Sequence, residues 1–82
     1  MKVSVRFFAF YRERAGTSQT EVDLPDGATP KELLIQLRSM YPSLPLSDSV
    51  LIAVNSEYVT QWATLHDGDE VAFIPPVSGG ET

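Results

Sequence analysis

One amphipathic helix, punctuated at both ends and flanked by strand-type segments, most limits the folds open to this chain. Thr29-Pro30-Lys31-Glu32 reads as a helix start. Thr29 is the N-cap, Pro30 takes the first helical position, where a missing N–H costs nothing, and Glu32 stands three residues past the cap as in a capping box. Leu33, Leu34, Leu37, Met40 and Tyr41 follow within an arc of about 120° at roughly 100° per residue, so the helix has one face to bury. Pro42 ends it. A single stripe of this kind needs a sheet to cover it, and 82 residues leave room for one sheet and one or two helices in one small core.

The segments on either side supply that sheet. Val3, Val5, Phe7 and Ala9 alternate with Lys2, Ser4, Arg6 and Phe8, the period of a half-buried strand. Phe8 breaks the polar side of the pattern and is placed outward. Tyr11 to Ala15 has the length of one helical turn closed by Gly16, and Glu21 to Leu24 resumes strand alternation before a turn at Pro25-Asp26-Gly27. Beyond the helix, residues 42–49 read as loop, Leu51 to Val54 as a short apolar strand, and Asn55-Ser56-Glu57 as a turn into Tyr58 and Val59. His66-Asp67-Gly68-Asp69 is a further turn before a strand from Glu70 to Ile74. Pro75 and Pro76 have no amide hydrogen and stop the ladder.

Composition narrows the chemistry. The chain has no cysteine, hence no disulfide framework, thiolate zinc site, cysteine nucleophile or protein persulfide. All six basic residues lie in the first 41 positions, which carry +1, whereas residues 42–82 hold six acids and no Lys or Arg, a charge of −6. Such a half repels phosphate backbones and anionic lipid and suits a basic protein partner, with solubility charge as the plainer alternative. No apolar run approaches the ~20 residues of a membrane span, and Met1-Lys2 leads into alternation instead of a signal-peptide core. The expectation is a soluble cytoplasmic protein with no nucleic-acid or membrane partner.

Resident catalysis has little support. His66 beside Asp67 would need Ser47, Ser49 or Ser56 to complete a triad, and none lies in a nucleophile motif. The acids around His66 do not match calcium-loop spacing, so a tight turn at Gly68 explains them better than a metal site. Gly16, Gly27 and Gly68 are isolated and form no phosphate-cradling loop. The C-terminal stretch stands apart. A strand stops at two prolines, and Val77 and Ser78 then lead to Gly79-Gly80. A frayed end would serve as an explanation for most chains, yet Pro75 to Gly80 is uncharged, stiff at its base and without Cβ atoms at its tip. Extended, those six residues reach about 20 Å, enough to enter another protein's active site.

Phe7-Phe8-Ala9, Ala53-Val54-Asn55 and above all Leu65-His66-Asp67-Gly68-Asp69-Glu70-Val71-Ala72-Phe73-Ile74-Pro75-Pro76-Val77-Ser78-Gly79-Gly80 resemble the small, sulfur-carrier subunits of molybdopterin synthase, from residue 1 to Gly80. The resemblance implies an α+β fold of the ubiquitin-like β-grasp type. There, residues 1–76 form a mixed sheet packed on one main helix and residues 77–82 a flexible tail. It implies that the glycine carboxylate is adenylated with ATP by an enzyme resembling the ubiquitin activators, then becomes a thiocarboxylate fed by a sulfur-donor system. The tail then enters the large synthase subunit, within a heterotetramer, and gives sulfur to cyclic pyranopterin monophosphate to build the dithiolene of the molybdenum cofactor. By this resemblance Gly80 bears the sulfur and Gly79 is its slim neighbour. Phe8, Tyr58 and Ile74 form the hydrophobic partner patch, Arg12 adds a polar contact, and Pro75, Pro76, Val77 and Ser78 line the tail. It implies no resident metal or permanently bound cofactor.

One departure stands out. The family ends at its second glycine, whereas Glu81-Thr82 follow here. In this chain Gly80 has no free carboxylate until its bond to Glu81 is broken, which leaves three accounts: trimming, derivation from a longer or fused polypeptide, or a carrier that never receives sulfur. A carrier serving thiazole synthesis or tRNA thiolation, and a β-grasp interaction module with a blocked tail, are the competing functions.

Overall fold

The computed structural model describes residues 1–47 and 49–75. Its elements run in the order β1 (Lys2–Phe7), α1 (Phe10–Ala15), β2 (Gln19–Asp23), α2 (Pro30–Met40), β3 (Leu51–Val54), β4 (Glu57–Val59) and β5 (Glu70–Ile74). The expected boundary after residue 76 lies outside the described residues.

The strands form one mixed sheet in the order β2-β1-β5-β3-β4. The antiparallel hairpin of β1 with β2 pairs Val3 with Val22, and the parallel pair of β1 with β5 sets Val5 beside Val71 and Phe7 beside Phe73. A parallel pair needs a long crossover, and α2 lies in that connection. Its Leu33, Leu34 and Leu37 join Val3, Val5, Phe7, Val71, Phe73 and Ile52 in a single core. A mixed sheet grasping one helix is the ubiquitin-like β-grasp, as the resemblance implies.

Local signals act as read. Thr29 Oγ1 accepts from Glu32 N–H at 3.3 Å while Glu32 Oε1 accepts from Thr29 N–H at 3.0 Å, completing the capping box. Gly16 takes the left-handed conformation at φ 79° and donates its N–H to the Arg12 carbonyl, closing α1. Two expectations need correction. Met40 was assigned to the buried stripe but is 43% exposed, because it is the last residue of α2 and stands at one edge of the apolar arc. Tyr41, the C-cap, turns back instead and sets its ring edge-on to Phe7 at 5.5 Å. Ala9 was expected to continue the inward series, yet β1 stops at Phe7 and Ala9 sits exposed at a corner with φ 53°.

The connection after α2 also does more than its loop assignment suggested. Leu44, Leu46 and Val50 are buried and seal the end of the core, and Arg38 Nε donates to the Leu46 carbonyl at 3.0 Å. Among the described residues no helix is long and apolar enough to cross a membrane.

Candidate partner-binding face

Because strand side chains alternate, the same register that buries one set of residues lays out the other on the far side of the sheet. Arg6 on β1 pairs with Ala72 on β5, Ala72 with Ala53 on β3, and Ala53 with Tyr58 on β4, a row across four strands. One step toward the C-terminal end of β5, Ile74 pairs with Leu51. Phe8 follows β1 on the same parity as Arg6, whose guanidinium carbon lies 5.9 Å from its ring centroid. The two predicted patch residues from opposite sides of the sheet, Phe8 and Tyr58, thus flank a floor of two alanines.

Their surroundings make this a usable surface. Phe8 is 42% exposed and Tyr58 70%, while Ile74 is half-buried between its neighbours. Arg6, Phe8, Ala53, Ser56, Glu70 and Ala72 line a depression of about 160 Å³. Arg6 Nη1 donates to Glu70 Oε2 at 3.1 Å. Both side chains are about half exposed, so this pair orients the arginine more than it stabilises the fold.

The end of the hairpin is fixed by side chains from the two turns read in the sequence, Asn55-Ser56-Glu57 and His66-Asp67-Gly68-Asp69. Asn55 and Ser56 both have positive φ, 52° and 73°, which makes the two-residue β3–β4 connection a type I′ turn. Asn55 Nδ2 donates to Asp69 Oδ1 and Asn55 Oδ1 accepts from Glu70 N–H, each at 3.0 Å, tying that turn to the start of β5. His66 N–H takes the other Asp69 oxygen at 2.8 Å. Both oxygens of Asp69 are therefore used in holding the turn, and Gly68 occupies its left-handed position at φ 87°. These bonds give the His66 to Asp69 segment the turn role assigned to it.

Arg12 is exposed on α1, outside the row across the sheet. Pro75 is half-buried directly after β5. Pro76, Val77, Ser78, Gly79 and Gly80, like Glu81 and Thr82, lie outside the described residues. The sequence reading placed neither Leu51, 38% exposed, nor Trp62, 66% exposed, in the partner patch, yet both join Tyr58 in lining a groove of about 420 Å³ beside β4. The signals were present: Leu51 alternates with the buried Ile52, and an indole in the polar run Thr60-Gln61-Trp62 has nothing local to cover it.

Known proteins resemble this chain in both sequence and fold. The ThiS family profile matches residues 5–80. The molybdopterin synthase sulfur carrier subunit of Chlamydomonas reinhardtii is 44% identical over 86 residues, covering 98% of this chain and 100% of the relative. A solved structure named as molybdopterin converting factor subunit 1 of Pyrococcus furiosus superposes with a TM-score of 0.83 at 34% identity, covering 94% of this chain and 99% of that one. A second, from a complex of subunits 1 and 2 of the molybdopterin-converting factor of Helicobacter pylori, gives 0.68 at 27% identity, covering 98% and 100%. The chain belongs to the ThiS family, alongside the molybdopterin synthase sulfur carrier subunits to which it is similar along its whole length.

Proposed function

We propose that this protein is the sulfur carrier subunit of molybdopterin synthase. The observation that carries this reading is the end-to-end match to relatives of that name, which takes in the strand-stop, Pro-Pro and Gly-Gly series. The absence of cysteine agrees with it: such a chain can bear transferable sulfur only on a carboxylate.

In this reading Gly80 is the acceptor and Gly79 leaves room for a narrow channel. Hydrolysis of the Gly80–Glu81 bond frees the carboxylate. Its oxygen attacks the α-phosphate of ATP on an activating enzyme, pyrophosphate leaves, and a sulfur nucleophile then displaces AMP from the acyl carbon. The resulting thiocarboxylate hands its sulfur to cyclic pyranopterin monophosphate in the large subunit. Activation is needed because a bare carboxylate is a poor electrophile. ATP belongs to the activating enzyme and the pterin pocket to the large subunit, so the contribution of this chain is presentation. Phe8, Tyr58 and Ile74 form the docking patch, Arg12 adds a polar contact, and Pro75, Pro76, Val77 and Ser78 are the tail residues that lead to the glycines. The Helicobacter pylori complex of subunits 1 and 2 supports a large-subunit partner, and the acidic second half favours a basic surface on it.

Deletion of Gly79 to Thr82 tests the proposal. Dithiolene formation with the large subunit, an activating enzyme, ATP and a sulfur source should vanish while the circular dichroism spectrum is unchanged. Retained dithiolene synthesis would overturn the assignment.

A further inference from the structure

Ala9 holds φ 53° and ψ −135° at the corner between β1 and α1. The Phe8 carbonyl accepts from Tyr11 N–H at 3.0 Å. Phe8 to Tyr11 therefore form a hydrogen-bonded β-turn whose first central residue is Ala9, close to the type II′ geometry that glycine dominates. In that region an L side chain crowds its own backbone, whereas a D side chain is at ease, because the mirror image of these angles is ordinary extended backbone.

The strain is held from both sides. Phe7 is buried and its N–H donates to the Ser18 carbonyl at 3.0 Å, and Tyr11 is buried at the start of α1. Arg12 N–H donates to the Ala9 carbonyl at 3.1 Å. Phe8 lies between these anchors and is the half-exposed aromatic of the sheet face. The angles at Ala9 thus fix where the chain turns relative to that ring. Glycine would relieve the crowding but open a wide area of φ and ψ around the observed values, whereas the alanine methyl leaves a narrow well.

We infer that Ala9 is a positioning residue: its methyl group confines the corner so that Phe8 is presented to the partner subunit in one orientation, with backbone strain as the consequence. This rests on the reading that Phe8 belongs to the docking face. A preordered aromatic anchor binds more tightly because its ordering is not charged against association.

Calorimetric titration of the full chain into the large subunit tests this with three variants. Ala9→Gly should leave the urea midpoint unchanged or higher and weaken binding about five-fold, with a fluorinated Phe8 showing increased ring mobility by 19F relaxation. Ala9→D-Ala, made by chemical synthesis, removes the strain but keeps the methyl group and should bind at least as tightly as the parent. Phe8→Ala is the control for the docking face. If Phe8→Ala leaves affinity unchanged, the docking-face reading fails and this inference with it. If Phe8→Ala weakens binding while Ala9→Gly does not, or if the glycine and D-alanine variants weaken it equally, the positioning role alone is refuted.

Discussion

Phe7 and Phe8 are identical residues one bond apart, and the fold assigns them opposite fates. Phe7 is 2% exposed, pairs with Phe73 in the parallel ladder and meets the Tyr41 ring edge-on at 5.5 Å. Truncating a buried Phe to Ala costs about 3–5 kcal/mol, and losing the aromatic pair adds roughly 0.5–1.5 kcal/mol. A chain of this length has about 4–12 kcal/mol in total, so Phe7→Ala should remove at least about a third of the stability and, at the low end of that range, nearly all of it. Phe8 is 42% exposed, and its ring meets the Arg6 guanidinium, an exposed cation–π contact of about 0.5–1 kcal/mol. Phe8→Ala should therefore cost about 1 kcal/mol, a drop in Tm of roughly 4–8 °C. Urea unfolding followed by far-UV circular dichroism measures both, because Trp62 is too exposed to report on the core. Equal losses for the two variants, or a larger loss for Phe8→Ala, would refute the strand register on which the proposed docking face rests.

Two further outcomes follow from backbone and burial. Ser56 has φ 73° in the type I′ turn, where an L side chain costs about 1–2 kcal/mol and glycine does not, so Ser56→Gly should raise stability by about 0.5 kcal/mol after the greater freedom of the unfolded glycine is counted; a lower urea midpoint would contradict the turn assignment. Burial of Tyr11 raises its phenol above the ordinary value by disfavouring the phenolate. A pKa raised in the folded state gives a contribution that is complete below the unfolded value near 10 and is lost as pH rises through the folded one. Alkaline unfolding should therefore be shifted to higher pH in Tyr11→Phe, and an unchanged alkaline midpoint would show that another group governs it.

Much of this molecule is legible in its sequence because its local signals agree with one another. The Thr29 cap, the leucine stripe of α2, the alternation in β1 and the turn glycines each name an element without tertiary information. The alternation also placed Phe8 outward, as the structure has it. What escaped has a common cause. Met40 lies at one edge of the apolar arc and at the last residue of α2, and helical angle carries no information about where the cover ends. Leu44, Leu46 and Val50 have no period at all, since loop residues enter a core by whatever path the chain takes over its open end. Ala9 looked like the next inward position of β1, and only the long-range anchors at Phe7 and Tyr11 impose a conformation that alanine avoids. The Asn55–Asp69 bond joins residues 14 apart and depends on the β3–β5 pairing.

The central claim is that Gly80 carries sulfur, and intact-mass spectrometry addresses it most directly. The chain ending at Gly80 is incubated with a ubiquitin-activator-like adenylating enzyme, ATP and a sulfur donor, then with the large subunit and cyclic pyranopterin monophosphate. The account predicts a gain of one sulfur in place of one oxygen, localised to the terminal glycine, and its loss in the second step as the dithiolene forms, while the chain carrying Glu81-Thr82 stays unmodified until those residues are removed. An unchanged mass in the chain ending at Gly80, with an activating enzyme shown to be active, would contradict it.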